Sequence, residues 1–586
     1  MVSRADRSRP VTTQETALAE KNQRTETADE GADLNRRTFI KRGAIAGLAA
    51  SAAMPAAADA ATTKKPKPEP KHPSAPRSDT RPNILVIVVD QFRYPRWFPE
   101  QAKIDEWLPN LARLRREATV FENHYTASNM CVAARGTLLT GLYSHQTGVM
   151  LTQAITDSST LSRDFPTWGH QLRAHGYETV WYGKWHCGPV PDKTPGGLEA
   201  YGFDGGTYPS PNGNPEQGLQ RDPGIVDQFV SWFEGNASNS RKPWCTTVSL
   251  VNPHDINWWP NFTSGNQADA AQSIGYDFGS GPPNVETTQD LIDHKPRLQL
   301  AYQQTLDLIC GPSSVQGIGK EAGWDKMLNL YAWFQQQADA HIGRVLDTLY
   351  AQPKVAESTI VIFTSDHGEY GGSHGLRAKG GAVYEEGIHV PLYIVDPHHV
   401  LSSGKTSYRT QYTSSVDFSS MLLTIATGSA DWRANPAYSH IAKRLDIVKI
   451  AEDRKSRGRP WIAHATDEVT VEELTTTYRF ANTAPHHITS VRTPTSKYAV
   501  YANWPKNDNA IEPTDQDHEL YDLTTPGGYL ELNNLAGEGT RLQESMSDLL
   551  ARVVAVEIRE PLPAHLQEAQ EQGYDNYYTL SDGFEF

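Results

Sequence analysis

Ionisable side chains follow four hydrophobic segments of the sequence, at the point where each segment ends. Asp90-Gln91 closes the run that begins at residue 83, and Asp366-His367 follows the run 359–364. These two pairs offer mostly oxygen ligands and one imidazole, which suits Ca²⁺ and also suits Mn²⁺. Either pair alone is equally typical of a helix cap or a turn. Two pairs at equivalent positions predict a divalent metal site.

A second set of residues has the chemistry to bind an anion. A tetrahedral sulfate or phosphate ester needs its charge balanced by cations, a nucleophile in line and an acid for the leaving oxygen. A lone histidine is more often structural than catalytic, so the prediction rests on the whole array. Its members are Arg135, Lys184, His186, His254 and Lys379.

The pattern of elements indicates how these side chains meet. The run 83–90 is nearly continuous in β-branched and apolar residues, as in a parallel strand covered on both faces. Helical spacing from Leu330 to Leu349 leads into a second such strand at 359–364, and two more strands are predicted at 177–181 and 246–251. Ligands of open α/β sheets bind at the carboxyl ends of the strands. We therefore expect an α/β fold in which the ionisable residues meet at the carboxyl ends of the strands.

Two further regions have a different character. Residues 257–324 are rich in Gly, Asn, Ser, Pro and Gln and have little periodicity, which predicts an insertion that shapes a pocket. Its Trp258-Trp259 pair could stack on a substrate or pack in the interior. Beyond residue 484, strands at 488–491 and 498–501 and a helix at 541–557 predict a smaller C-terminal α+β subdomain over 485–586.

The N-terminal region predicts export. Residues 1–61 contain Arg36-Arg37 before an Ala/Gly-rich stretch, in the order of a twin-arginine signal, and residues 62–81 form a Lys/Pro-rich linker. A membrane anchor is the alternative, but the apolar run is shorter than the roughly 20 residues needed to span a bilayer. The twin-arginine machinery is thus an expected partner and the periplasm or extracellular space the expected location. The catalytic domain is assigned to 82–484.

Composition narrows the function further. The formal charge of −15 over 586 residues argues against a nucleic-acid binder, which normally has a basic surface. Four cysteines are too few for a disulfide scaffold in a chain of this length, and their spacing fits no zinc site. Cys131 is therefore interpreted from its neighbours.

Several motifs resemble those of the sulfatase family. The segment around Cys131 resembles the signature Cys-x-(Pro/Ala)-x-Arg with its downstream Leu-x-Thr-Gly, and the similarity extends over residues 82–536. The motifs that carry it are Cys131-Val132-Ala133-Ala134-Arg135-Gly136 with Thr137 to Gly141, Gly176 to Thr179 with Gly183 to His186, Thr364 to Glu369, Lys379 with Tyr384 to Gly387, and Glu519 to Leu523.

The resemblance implies an alkaline-phosphatase-like fold, with a large mixed sheet sandwiched by helices and a smaller C-terminal subdomain. It implies that a maturation enzyme oxidises Cys131 to formylglycine, whose hydrate attacks sulfur and later expels sulfate. It also assigns roles to individual residues. The metal would be bound by Asp90, Gln91, Asp366, His367 and the modified Cys131. Asp366 would accept the attacking proton, Arg135 would orient the hydrate, and Lys184 and Lys379 would bind sulfate oxygens. His254 would protonate the leaving group, and His186 would assist collapse of the sulfoenzyme.

Three functions remain open at this level. Hydrolysis of a sulfate monoester, carried by a small molecule or a saccharide, is the leading prediction. Gln91 and His367 resemble the branch that contains phosphonate monoester hydrolases, phosphodiesterases and choline sulfatases, so a phosphonate monoester or phosphodiester hydrolase is the first alternative. Ala133 stands where many members have Pro. The second alternative is therefore an inactive binding relative in which Cys131 keeps its thiol.

Overall fold

The computed structural model of the protein describes residues 81–96, 100–151, 160–188, 197–258, 281–311, 321–468, 470–473, 479–480, 484–503 and 514–581. The predicted export signal, the linker up to residue 80 and Trp259 lie outside these ranges. Backbone contacts divide the chain into residues 1–73 with 473–479, and residues 74–472 with 480–586. Apart from residues 473 and 479, the second unit contains all elements described below.

Eight strands form a large mixed sheet in the order β4-β3-β5-β1-β6-β7-β2-β8. Another four form a small antiparallel sheet in the order β14-β13-β12-β9. The strands are β1 (Asn83–Val89), β2 (Thr119–Tyr125), β3 (Glu178–Gly183), β4 (Asp204–Gly205), β5 (Trp244–Leu250), β6 (Thr359–Ser365), β7 (Leu392–Val395), β8 (Ser407–Ser414), β9 (Ile462–Asp467), β10 (Val471–Glu473), β11 (Arg479–Phe480), β12 (His487–Arg492), β13 (Ser496–Ala502) and β14 (Asp517–Asp522).

The central strands of the large sheet end in register. β1 runs parallel to both β5 and β6, and Val89 pairs with Leu250 on one side and with Ser365 on the other. β3 runs parallel to β5, with Gly183 opposite Ser249. The four strands predicted from the sequence are therefore neighbours. Their following residues emerge at one edge, as expected for parallel strands.

Helices cover both faces of the large sheet. Alternate residues of β1 enter two different hydrophobic cores, with Ile84, Val86 and Val88 in one and Leu85, Ile87 and Val89 in the other. The helices are α1 (Gln101–Trp107), α2 (Pro109–Arg115), α3 (Cys131–Thr140), α4 (Ser144–Thr147), α5 (Trp168–Ala174), α6 (Gln217–Gly235), α7 (Thr288–His294), α8 (Arg297–Cys310), α9 (Glu321–Tyr350), α10 (Pro353–Ala356), α11 (Glu385–Ile388), α12 (Phe418–Thr427), α13 (Ile447–Glu452), α14 (Pro526–Tyr529), α15 (Arg541–Val553) and α16 (Ala564–Ser581).

The predicted fold class is confirmed, because a large mixed sheet lies between helices and a small antiparallel sheet follows. The predicted C-terminal strand pair and helix appear as β12, β13 and α15. The small sheet also takes β9, which lies before residue 484, and β9 pairs with β12. The subdomain boundaries stay a prediction. Among the described residues, no helix has the length and hydrophobicity needed to cross a bilayer.

The insertion at 257–324 contains two helices, α7 and α8, that its composition did not predict. Trp258 is half-buried against a hydrophobic cluster around Trp324 and donates a hydrogen bond from its indole Nε1 to the carbonyl of Gly213 at 2.8 Å. Its observed role is therefore packing. The second tryptophan of the pair lies outside the described residues.

Candidate active site

Four donor groups meet at the carboxyl edge of the large sheet. One carboxylate oxygen each of Asp90 and Asp366, the Cys131 sulfur and a ring nitrogen of His367 all lie within 4.8 Å of one another, and all four residues are buried. His367 Nε2 is 3.1 Å from Cys131 Sγ and 3.6 Å from Asp90 Oδ1. Two carboxylates and an imidazole beside the Cys131 sulfur form a donor set that fits a divalent cation.

Cys131 is the first residue of α3, whose ten residues are all buried. Its sulfur contacts Asp90 Oδ1 at 4.0 Å. Burial and Asp90 raise the pKa of the thiol, but Lys184, Lys379 and His367 outweigh them, so the pKa lies below its usual value. Cys131 is therefore in electropositive surroundings that favour its thiolate form.

Arg135 lies one turn after Cys131 and joins the ends of four strands. Its Nε donates to Asp366 Oδ2 at 2.9 Å and its Nη2 to Asp90 Oδ2 at 3.0 Å. Its Nη1 donates to the Lys184 carbonyl at 2.6 Å and to Ser249 Oγ at 3.0 Å. The guanidinium is buried and its planar fork is occupied by protein groups. We call these contacts the Arg135 clamp.

Gln91 links the metal ligands to the cation array. Its backbone has a φ of 64°, in the left-handed region, and its N–H donates to Asp366 Oδ1 at 3.1 Å. Its side-chain Oε1 accepts from Lys379 Nζ at 2.6 Å. The Nε2 donates to Asn257 Oδ1 at 2.7 Å and to Glu369 Oε2. Gln91 therefore offers only Oε1 as a metal ligand.

The remaining predicted residues surround this centre. Lys184 Nζ lies 2.7 Å from Asp90 Oδ2, and Lys184 and Lys379 are both buried. His186 and His254 are buried as well, and the Nδ1 of each has no hydrogen-bond partner within the described part of the chain. Burial lowers the pKa of His254 well below its usual value, and Lys184 and Lys379 lower it further. Burial also lowers the pKa of His186 well below its usual value, and Lys184 lowers it further.

The structure thus brings together every predicted site residue, although their roles stay predictions. The sequence analysis missed Asn257 and Glu369, which hold the Gln91 amide. Asn257 lies three residues after His254 in a single 3₁₀ turn, His254–Trp258, and Glu369 lies three residues after Asp366. Their proximity to predicted site residues was the only available signal, because amides and carboxylates are common in loops.

A family model for sulfatases matches residues 82–429. The chain belongs to the sulfatase family. The match covers β1 to β8 and every residue of the site described above.

Named relatives of this sulfatase differ in activity. It is 29% identical over 321 residues to the uncharacterized sulfatase YidJ of Escherichia coli K12, which covers 49% of this chain and 57% of the relative. Arylsulfatase K of Gallus gallus is 26% identical over 56% of this chain and 60% of the relative. Choline-sulfatase of Rhizobium meliloti is 27% identical over 54% of this chain and 63% of the relative. These matches span less than two thirds of each relative.

Solved structures confirm the alkaline-phosphatase-like fold of the sulfatase. A phosphonate monoester hydrolase from Silicibacter pomeroyi superposes with a TM-score of 0.59 at 18% identity, over 83% of this chain and 97% of the other. A 2-O GAG sulfatase superposes with a TM-score of 0.58 at 20% identity, over 85% of this chain and 94% of the other. At such low identity, the likeness concerns the fold alone.

The Arg135 clamp makes a prediction about stability. Arg135→Met should lower the free energy of unfolding by about 3–5 kcal/mol, because two buried carboxylates lose the guanidinium that bridges them and Asp366 loses its only cation in the Arg135 clamp. Chemical denaturation in the presence of a chelator measures this, so that bound metal cannot compensate. The control is Arg344→Met, which breaks the exposed pair with Asp227 at 2.6 Å and should cost at most about 1 kcal/mol. Equal losses in the two variants would contradict the clamp.

The donor set makes a prediction about metal content. Asp366→Asn should reduce the divalent metal retained after dialysis from about one ion per chain to a small fraction, because one anionic ligand is lost. Elemental mass spectrometry measures the ratio. The control is Glu386→Gln in a second buried group, His374, Glu386 and Glu531, whose acids already pair with arginines and lysine. A loss of metal in the control alone would move the site to that group.

Proposed function

We propose that this sulfatase hydrolyses sulfate monoesters at the site around Cys131. The observation that carries the proposal is the meeting of the four donor groups with two buried lysines at one sheet edge. A sulfate ester brings negative charge into a site where water is excluded. Lys184 is paired with Asp90, but the buried Lys379 ammonium donates to the neutral Gln91 amide, so an anion would lower the cost of burying its charge. The cation array therefore supports an anionic substrate.

A divalent metal is part of the proposal. Asp90, Gln91, Asp366 and His367 would hold it, with Ca²⁺ expected from the oxygen ligands and Mn²⁺ as the alternative because of the imidazole. When bound, the ion would polarise a sulfate oxygen and help balance the charge of the transition state. Lys184 and Lys379 act beside it, because their ammonium groups are the remaining buried cations that face the donor set.

The nucleophile is proposed to be formylglycine made from Cys131, whose hydrate supplies a hydroxyl group for attack on sulfur. All four cysteines are free, so no disulfide involves Cys131. The sulfur contacts Asp90 Oδ1 at 4.0 Å, and a carboxylate oxygen of Asp366 lies within 4.8 Å of it. Asp366 accepts from the backbone N–H groups of Gln91 and His367 and from Arg135. Asp366 is proposed to accept the attacking proton, and Asp90 is the second carboxylate in reach.

His254 is proposed to assist the leaving oxygen. It follows β5 directly, is buried beside the donor set, and keeps Nδ1 without a protein partner in the described ranges. An alkoxide is a poor leaving group, so hydrogen bonding or proton donation to it contributes typically 10²–10⁴-fold to the rate. His186, two residues after Lys184 and buried near it, is proposed to act on the sulfoenzyme.

One observation favours a second candidate function. His367 belongs to the donor set and Gln91 lies beside it, and this pair resembles the branch of phosphonate monoester hydrolases and phosphodiesterases. A phosphonate monoester or phosphodiester also carries a single negative charge on a tetrahedral centre, so the same cations would bind it. Relatives named choline-sulfatase and 2-O GAG sulfatase make both small molecules and saccharides candidates for the alcohol.

The substrate comparison tests this choice. With 4-nitrophenol as the common leaving group, kcat/KM should be at least about tenfold higher for the sulfate monoester than for the phenylphosphonate monoester or the phosphodiester, which is about 1.4 kcal/mol in transition-state binding. Cys131→Ala should lower all three by at least about 10³-fold. A preference for either phosphorus ester by orders of magnitude would establish the second candidate instead.

Maturation and export are tested together by mass spectrometry of protein purified from its native host. The peptide containing residue 131 should be about 18 mass units lighter than the encoded thiol, because the thiol is replaced by an aldehyde. The N-terminus should lie after cleavage near residues 55–60, and the protein should leave the cytoplasm. An unmodified thiol in every preparation would support the inactive binding relative. An intact N-terminus in a cytoplasmic fraction would contradict export.

A further inference from the structure

A chain of hydrogen bonds connects Lys379 and Glu369 to His254 through two amides. It runs from Lys379 to Gln91, from Gln91 to Asn257 and from Asn257 to His254. Each bond constrains the next, because an amide has a donor end and an acceptor end while a lysine only donates. The orientation of every group in the chain can therefore be worked out from one end.

The first amide is fixed by Lys379. The ammonium Nζ lies 2.6 Å from the end of the Gln91 side chain, and it carries no acceptor. The Gln91 atom that faces it must be the oxygen. The nitrogen therefore faces Glu369, whose other oxygen, Oε1, already accepts from the backbone N–H groups of Gly371 and Ala378 at 2.8 Å each. A carboxylate accepts hydrogen bonds, so the contact with Glu369 gives the Gln91 amide the same orientation as the contact with Lys379.

The second amide follows from the first. Gln91 Nε2 has two hydrogens, and one of them is directed to Asn257 at 2.7 Å. The Asn257 atom at that end must be its oxygen. Its nitrogen then lies 3.2 Å from His254 Nε2 and donates to it. A ring nitrogen that accepts a hydrogen bond carries a lone pair, so the hydrogen of the neutral imidazole is on Nδ1.

The surroundings of His254 suit this assignment. Nδ1 is buried and has no hydrogen-bond partner in the described part of the protein, so an N–H there has no protein acceptor. Gly213, with a φ of 99°, packs against the ring so closely that a Cβ there would lie 2.4 Å from Cε1. The ring is therefore held by Gly213 on a face and by Asn257 at Nε2. Burial and the two lysines also favour the neutral form, since they lower the pKa of His254.

We propose that Lys379 and Glu369, acting through Gln91 and Asn257, hold His254 as the neutral tautomer with hydrogen on Nδ1, so that Nδ1–H is the group presented to the bridging oxygen of the ester. Asn257 is thus a positioning residue. This inference deepens the proposed function and depends on it for the identity of the bound ester, but not for the tautomer. The hydrogen bond from Nδ1 strengthens as charge develops on the leaving oxygen.

Nitrogen NMR of ¹⁵N-histidine-labelled full-length enzyme tests the tautomer without any substrate. Comparison with a His254→Gln variant assigns the His254 signals, and a protonated Nδ1 is distinguished from a protonated Nε2 by chemical shift and coupling. We expect Nδ1 protonated and Nε2 unprotonated in the metal-loaded protein. The proton on Nε2 in the wild type would overturn the proposal, whether or not the protein hydrolyses sulfates.

Kinetics of Asn257→Leu test the consequence for catalysis. Leu has nearly the shape of Asn but cannot donate, so the imidazole is free to move its hydrogen. We expect kcat/KM for propyl sulfate to fall about 10²-fold more than for 4-nitrophenyl sulfate, mainly in kcat, because only the alkoxide needs a donor. Equal losses for both esters would overturn the positioning role.

The matched control is Asn110→Leu, which removes an amide that donates to Asp339 at 2.9 Å, away from the donor set. It should change stability without changing the ratio between the two esters. If no sulfate ester is hydrolysed by the wild type, the proposed function fails while the NMR result still decides the tautomer. If sulfates are hydrolysed but Nδ1 is unprotonated, only the present inference fails.

Discussion

The site depends on the buried ion cluster formed by Arg135 with Asp90 and Asp366. Desolvating a carboxylate costs several kcal/mol, which close cation contacts with good geometry must offset. Arg135 provides that contact to both acids at 2.9–3.0 Å, and Lys184 adds a second cation to Asp90 at 2.7 Å. Because Arg135 lies one helical turn after Cys131, the same contacts set the distance between Cys131 and the two carboxylates. Stability and the geometry of the site therefore share one interaction.

The sheet explains why this cluster forms at all. β1 lies between β5 and β6 in parallel register, so Asp90 and Asp366 leave neighbouring strands at the same level. Helices on both faces exclude water from the strands, and the polar side chains that follow them lie at the carboxyl edge. The two buried lysines reach that edge from other segments, Lys184 after β3 and Lys379 from the loop before α11. The site is thus a product of parallel topology combined with complete burial.

Several features were predictable from local sequence because they depend on nearest neighbours. The apolar runs that became β1 and β6, the helical spacing of α9 and the residues that follow each strand are all local patterns. Other features were not predictable. The helices α7 and α8 lie in a segment whose composition is typical of loops, and their apolar faces become evident only against the tertiary core. The participation of β9 in the small sheet depends on pairing with a strand that follows it by about twenty residues.

The amino-acid sequence alone determined which side chains exist to bind a metal and an anion, and that four buried strands would carry most of them to one edge. Only the tertiary structure decided how those groups are oriented. Which carboxylate oxygen meets Arg135, and which end of the Gln91 and Asn257 amides faces Lys379 and His254, depends on contacts between residues that are far apart in the chain. An amide has no preferred direction until its partners are in place. The fold therefore assigns donors and acceptors that composition and spacing leave undefined.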